Sequence, residues 1–267
     1  MNRMSDFLQD VAAKTRQRVD VQKGQVSSEQ LKKRLEKATP RRPFAKALHQ
    51  SDKVALIAEL KQASPSAGII RIEKDIPSRI KAYTKGGAAA LSILTEENYF
   101  HGSPQLLEEA HRLTHLPLLR KDFIIDPYQI LESKNLGADA ILLITGLLPG
   151  SMLADFIALA EAADLETLVE VHDENDLAAA LAAHAPVIGI NNRNLRTLRV
   201  DPLTAEKLLT KIPKRELTVV VESGIKEPSA LPHLKELGAH AVLIGETFMR
   251  AEDPEKTVKE FTQACRK

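Results

Sequence analysis

Gly137-Ala138-Asp139-Ala140-Ile141-Leu142-Leu143-Ile144 is a short apolar run entered through a Gly-Ala pair. A strand with one wet face would alternate apolar and polar residues. A run this continuous reads instead as a strand buried on both faces of a parallel sheet. The same entry recurs at Gly86-Gly87-Ala88 and at Gly238-Ala239-His240, ahead of the runs 88–94 and 239–244. Five more runs of this kind lie at 54–60, 116–119, 167–171, 187–190 and 217–221. Their starts fall some twenty to thirty-odd residues apart, the size of one strand–helix unit.

Amphipathic stretches fill the intervals. Pro104-Gln105 opens one carrying Leu106, Leu107, Ala110 and Leu113, and Asp173 and Asp176 open another that runs through Leu177 to Leu181. Pro202, Glu227-Pro228 and Pro254 begin others, at positions where a helix tolerates proline. Eight strands alternating with eight helices specify an α/β fold, a closed TIM (β/α)8 barrel, more naturally than an open sheet. No Gly-x-Gly-x-x-Gly turn follows the first strand, which counts against a doubly wound dinucleotide fold. At 267 residues the chain fits one barrel.

Residues 1–48 differ in character, with 12 Lys/Arg against 5 Asp/Glu. One helix is expected from Ser5, with Phe7, Leu8, Val11 and Ala12 on one face. A second is expected from Ser27, where Gln30 completes a capping box ahead of Leu31 and Leu35. These residues read as a helical N-terminal extension (1–48) packed on the barrel (49–267). It is either a basic solvated surface or a cover for a site that takes an anion.

Several function classes are excluded at this level. The formal net charge of +1 implies neither nucleic acid nor an anionic membrane as partner, and no aromatic residues interleave the basic ones. No apolar stretch has the length of a membrane span or signal peptide. The one cysteine, Cys265, is expected to be inert on the last helix and suits a reducing cytoplasm. The eight histidines form no metal-binding spacing, and no nicotinamide or flavin fingerprint is present, so neither metal nor cofactor is expected.

Barrel enzymes draw their chemistry from the C-terminal strand ends and the loops that follow. Here the first run ends Glu59-Leu60-Lys61, and the shared parity of Ala55, Ile57, Glu59 and Lys61 puts both charges on the inner face. The third ends Arg120-Lys121-Asp122, the fifth Glu170-Val171-His172, the sixth Asn191-Asn192-Arg193 and the seventh Glu222-Ser223-Gly224. So many ionisable groups at one rim would cost too much desolvation to be purely structural. Ser223-Gly224 and Gly245-Glu246, after strands seven and eight, offer small residues and accessible N–H groups of the kind that bind phosphate. His172 is read as supporting a loop rather than performing chemistry.

These motifs resemble indole-3-glycerol phosphate synthase. The resemblance rests on Ile57-Ala-Glu-Leu-Lys-Gln-Ala-Ser-Pro-Ser66, on Leu119-Arg-Lys-Asp-Phe123 and on Leu168-Val-Glu-Val-His172. It continues through Ile188-Gly-Ile-Asn-Asn-Arg-Asn-Leu195, Val221-Glu-Ser-Gly-Ile225 and Leu243-Ile-Gly-Glu-Thr-Phe-Met-Arg250. It spans the whole barrel in order, and it implies that the extension caps the active-site end. The implied substrate is 1-(2-carboxyphenylamino)-1-deoxyribulose 5-phosphate, and the reaction is ring closure with loss of carbon dioxide and water, without a cofactor.

By this similarity Lys121 is the general acid, its pKa expected to be lowered toward neutrality by burial and neighbouring cations. Glu170 is the base, with Lys61 and Glu59 completing the catalytic set. Arg193, Lys61 and Ser64 hold the substrate carboxylate, while Asn191 and Glu222 hold hydroxyls and ring-forming atoms. Ser223, Gly224, Gly245 and Glu246 contact phosphate. The family often has serine where this chain has Glu246, so that residue is expected to offer its N–H with its side chain turned away. The partner this implies is a small phosphorylated molecule. Two rival readings remain: another phosphate-binding barrel enzyme of the pathway, which would want a different acid–base pair, and a catalytically silent barrel that only binds a phosphorylated metabolite. The second is expected to have lost at least one charged rim residue.

Overall fold

The computed structural model describes residues 5–50, 53–195, 197–212 and 217–264. Among them eight parallel strands close a barrel: β1 (Ala55–Leu60), β2 (Ala90–Leu94), β3 (Leu118–Lys121), β4 (Ala140–Ile144), β5 (Glu166–Val171), β6 (Val187–Asn191), β7 (Thr218–Glu222) and β8 (Ala241–Ile244). Each strand pairs with its neighbours in sequence, and β1 closes the ring by pairing with both β2 and β8. Cys265 lies outside the described residues.

Both strand faces are buried, as the continuous apolar runs require. The inward set includes Ala55, Ile57, Ala90, Leu119, Ala140, Leu142, Leu168, Val187, Val220, Ala241 and Leu243, which pack as one cluster. The outward set, including Leu56, Leu91, Ile141, Val169, Ile188, Val219 and Val242, packs against the surrounding helices. Each such Leu, Ile or Val contributes about 1.5–3 kcal/mol by leaving water. The third strand begins at Leu118, two residues into its apolar run, and runs on to Lys121, into the charged end read from the sequence. Arg120 and Lys121 lie inside the ladder, opposite Ile93 and Leu94. Arg120 can be a strand residue because it faces the helix layer, where Asp122, Glu132 and the Ser133 hydroxyl surround its guanidinium. Lys121 faces inward.

Among the described residues three helices precede the barrel: α1 (Ser5–Gln25), α2 (Ser28–Leu35) and α3 (Phe44–Leu48). The capping box at Ser27 is present, with Gln30 N–H donating to Ser27 Oγ and Ser27 N–H to Gln30 Oε1. The segment wraps the barrel from mouth to floor. At the mouth, the Phe7 ring meets Tyr99 at 5.1 Å and Phe123 at 6.2 Å. Along the side, Leu31 packs on Tyr128 and Leu131 of the helix Pro127–Asn135. At the floor, Phe44 and Leu48 join the inward cluster, and the N–H groups of Phe44 and Ala45 donate to the Glu166 carboxylate at the start of β5.

Candidate active site

Strand parity sets the site. The inward alternation that buries Ala55 and Ile57 brings Glu59 and then Lys61 to the mouth, and the same period brings up Lys121, Glu170, Asn191 and Glu222. These residues, with Ser64, Arg193, Ser223, Gly224, Gly245 and Glu246 from the following loops, line one cavity of about 1100 Å³. All twelve candidates read from the sequence therefore surround a single space.

At its floor the Lys121 ammonium lies between two carboxylates, 2.9 Å from Glu170 Oε2 and 2.5 Å from Glu222 Oε2. A second ion pair, Lys61 Nζ to Glu59 Oε1 at 2.7 Å, stands on the neighbouring wall. There Ser92 Oγ donates to Glu59 Oε2 at 3.2 Å. The expected lowering of the Lys121 pKa is overturned. Burial acts to lower it, but Glu170, Glu222 and Glu59 outweigh burial and hold it well above the usual lysine range. The neighbours that matter are anions, not cations. Glu170 is held below the usual carboxylate range: burial opposes its ionisation, and Lys121 and His172 prevail. Glu222 goes the other way, pushed up to about 7 by burial, with Lys121 opposing and Glu170 adding to the rise. Lys121 thus serves two carboxylates: Glu170 keeps its negative charge, and Glu222 is the one that takes up a proton near neutrality.

Two glycines make room for this arrangement. A Cβ at Gly189 would lie 2.4 Å from Glu222 Oε1, and one at Gly245 would lie 2.5 Å from Glu59 Oε1. After β7 the chain turns through Ser223 and Gly224 with φ of 67° and 81°. Glycine adopts such a conformation at no steric cost, whereas Ser223 needs bracing. Asn192 Nδ2 supplies it by donating to the Ser223 carbonyl at 3.1 Å. Glu246 Oε1 accepts from Arg250 Nε at 2.9 Å, one helical turn along Glu246–Arg250. The Arg193 guanidinium donates to the Leu198 carbonyl at 2.8 Å, its backbone N–H donates to Asn191 Oδ1 at 2.9 Å, and burial lowers its pKa. Ser64 Oγ accepts from Ala67 N–H at 3.2 Å within a short hairpin of Ala63–Ser64 and Gly68–Ile69.

Several participants escaped the sequence reading. Phe7, Phe100, Phe123, Leu142, Ile144 and Leu195 form an apolar wall of the cavity. Strand parity would have found Leu142 and Ile144, but nothing local marks Phe7, whose place depends on how the extension crosses the mouth. Arg18 of α1 binds both oxygens of Asp122 at 3.0 and 2.9 Å, next to Lys121 in sequence. His172 Nε2 lies 3.1 Å from Glu170 Oε1, and its Nδ1 lies 3.3 Å from Asp176 Oδ2. Among the described residues no group of three or more His, Cys, Asp or Glu is placed to hold a metal ion, and no helix is long and apolar enough to cross a membrane.

Comparison with known proteins agrees across the chain. The family model for indole-3-glycerol phosphate synthase matches residues 8–261. The enzyme of that name from Acetivibrio thermocellus is 43% identical over 257 residues, covering 96% of this chain and 98% of that protein. The one from Caldanaerobacter subterraneus is 48% identical over 229 residues, covering 86% and 88%, and the one from Neisseria meningitidis is 42% identical over 259, covering 96% and 98%. Among solved structures, thiamine phosphate pyrophosphorylase from Pyrococcus furiosus aligns with a TM-score of 0.59 over 83% of this chain and 97% of that one. Its identity of 15% speaks for a shared barrel alone.

Proposed function

The chain belongs to the indole-3-glycerol phosphate synthase family, and from that premise we propose how its rim residues divide the reaction. The reaction converts 1-(2-carboxyphenylamino)-1-deoxy-D-ribulose 5-phosphate to indole-3-glycerol phosphate, carbon dioxide and water, a carboxy-lyase step of tryptophan biosynthesis. The observation that carries the assignment is the Lys121 ammonium set between Glu170 and Glu222 at the cavity floor.

Ring closure joins an aromatic carbon to a ketone, so negative charge develops on the ketone oxygen. Lys121, protonated in the free enzyme, donates to that oxygen. Glu222 lies within hydrogen-bond distance to replenish the lysine, and a pKa near 7 lets it carry a proton at working pH. Arg193 and Lys61 hold the substrate carboxylate until it leaves as carbon dioxide, with Ser64 hydrogen-bonding beside them. In the dehydration Glu170, ionised in the free enzyme, takes the proton, while Lys61, oriented by Glu59 and free once carbon dioxide has left, protonates the departing hydroxyl so that it leaves as water. Asn191 and Glu222 hold the substrate hydroxyls. The N–H groups of Ser223, Gly224, Gly245 and Glu246 receive the phosphate, with the Glu246 carboxylate engaged by Arg250. The apolar wall around Phe7, Phe100 and Phe123 suits the aromatic ring.

The division of the chain into an extension over 1–48 and a barrel over 49–267 is supported by the path of α1 to α3 around the barrel wall. A cytoplasmic setting suits a biosynthetic barrel with a single cysteine. The test is incubation of the purified protein with the carboxyphenylamino-deoxyribulose phosphate while following indole fluorescence. Product is expected from the wild type, and a loss of about 10²–10⁴ in rate from Lys121→Ala with substrate binding retained. Full activity in the variant would remove Lys121 from the acid role.

A further inference from the structure

Glu170 uses its two oxygens differently. Oε2 is on Lys121 Nζ at 2.9 Å, facing the cavity, while Oε1 is buried and makes no hydrogen bond. What faces Oε1 is His172 Nε2 at 3.1 Å, itself buried and likewise without a hydrogen bond. The far side of the imidazole is tied down. Asp176 Oδ2 lies 3.3 Å from Nδ1 and accepts the His172 backbone N–H at 3.0 Å, and the Asp176 N–H is in turn held by Asp173 Oδ1 at 2.9 Å. His172 does not line the cavity. It follows Glu170 by two residues at the end of β5, so both side chains share the inner face.

We infer that His172, braced by Asp176, is a positioning residue that fixes Glu170 Oε1 and so presents Oε2 alone to the reacting centre. This rests on Glu170 being the base of the dehydration. The close imidazolium behind Oε1, together with the Lys121 hydrogen bond on Oε2, opposes rotation about the χ3 torsion, so the proton-accepting lone pairs keep one direction. Carboxylate–imidazole–carboxylate order also keeps both imidazole nitrogens protonated, because each faces an anion. Burial alone would lower the His172 pKa, but Asp176 and Glu170 raise it to about 9. The charged groups around the pair are Lys121 and Glu222, which face Glu170 from β3 and β7, and Asp176, which faces His172 from the helix Glu174–Ala182. Thr145 Oγ1 donates to the Glu170 carbonyl at 3.1 Å and holds the strand end.

The test is steady-state kinetics of His172→Ala, His172→Gln and Glu170→Gln, singly and as the Glu170→Gln/His172→Ala pair, from pH 9 down to the lowest pH at which the barrel stays folded. His172→Ala is expected to lower kcat by about tenfold or more with KM within about threefold, since His172 touches no substrate. His172→Gln, which keeps a neutral donor toward Glu170, recovers part of kcat. Both variants move the acid limb of kcat upward, by about one unit, because Glu170 loses a cation that favours its ionised form. On the Glu170→Gln background His172→Ala has no further effect on kcat beyond about twofold, as expected when one residue acts only through the other. Glu170→Gln with near-wild-type kcat would defeat the base assignment itself. Low activity in Glu170→Gln together with an unshifted acid limb in the folded His172 variants, or an equal kcat loss on both backgrounds, would defeat the positioning role alone.

Discussion

Gly189 and Glu222 compete for one space: a Cβ on Gly189 would lie 2.4 Å from Glu222 Oε1 and 2.5 Å from Leu168 Cδ2. The two residues sit on adjacent strands, β6 and β7, where Gly189 pairs with Val220, two residue pairs below Asn191 and Glu222 at the mouth. A glycine in a strand interior weakens the strand, so its presence marks a close approach that a side chain would block.

Gly189→Ala should therefore act on Glu222 first. The Glu222 carboxylate must move, and it cannot do so without disturbing its 2.5 Å contact to Lys121. The expected result is a kcat loss of at least about tenfold with the barrel still folded, against no change in Gly146→Ala, where a Cβ meets nothing within 4 Å. Small off-target shifts at a catalytic acid cost this much because reacting groups must be held in register. Equal kinetics for the two variants would show that Glu222 does not need the space.

The extension reaches the site through Arg18. Asp122 is fully buried and receives Arg18, Arg120 and the Thr95 hydroxyl. Burial opposes its ionisation, yet Arg120 and Arg18 outweigh that and bring its pKa to about 2. Arg18→Ala withdraws two of the hydrogen bonds to a buried charge and should cost roughly 1–3 kcal/mol. Lys23→Ala breaks an exposed pair with Asp126 and should cost about 0.2–1 kcal/mol. The sign of the pH dependence follows from the depressed pKa. The Arg18 contribution is present above about pH 4 and is lost as pH falls toward 2. Urea melts of both variants at pH 7 and pH 3 check this, and an equal cost for the two at pH 7 would place α1 as a weakly held surface element.

The barrel was legible because each strand is a continuous apolar run and each rim group follows from parity, as with Glu59 after Ala55 and Ile57. What Arg120 does at the end of β3 was not legible, because its partners Glu132 and Ser133, which lie beneath it on the next helix, are known only from the packing. The charge state of Lys121 was misread for a related reason. A pKa depends on which groups surround the amine in space, and the sequence does not say that Glu170 and Glu222, from two distant strands, both turn to it. The apolar wall needed the path of the extension, which depends on tertiary contacts such as Phe7 against Phe123.

An ammonium clamped by two carboxylates also sets the alkaline behaviour of the enzyme. Lys121 stays protonated through neutrality and well beyond, so kcat/KM should show no alkaline limb between pH 7 and about 8.5 from the acid itself. Glu222→Gln removes one of the anions that raise the Lys121 pKa and should lower it, while Glu170 and Glu59 still hold the amine protonated through that range. The profile of kcat/KM against pH reports free-enzyme groups, which makes it the right observable. A wild-type limb near pH 7 that survives in Lys121→Arg would assign the titration to another group.

His172 gives stability a pH dependence of opposite sign to Asp122. Its folded pKa is about 9, raised from an ordinary 6.5, because the imidazolium gains two carboxylate partners that outweigh burial. A raised pKa stabilises the fold fully below the unfolded value, and that stability is lost as pH rises through the folded one. The imidazolium contribution is therefore complete below about pH 6.5, declines across the interval to about 9, and is absent above it. Its size is on the order of 3 kcal/mol at most. The side chain is 12% exposed, so solvent screens little of it. His172→Gln keeps the shape of the site and removes the charge. Its stability deficit against wild type, measured by denaturant unfolding, should be largest at pH 6 and should narrow steadily to pH 9.5. A deficit that stays constant over that range would mean that His172 contributes packing alone and carries no charge between Glu170 and Asp176.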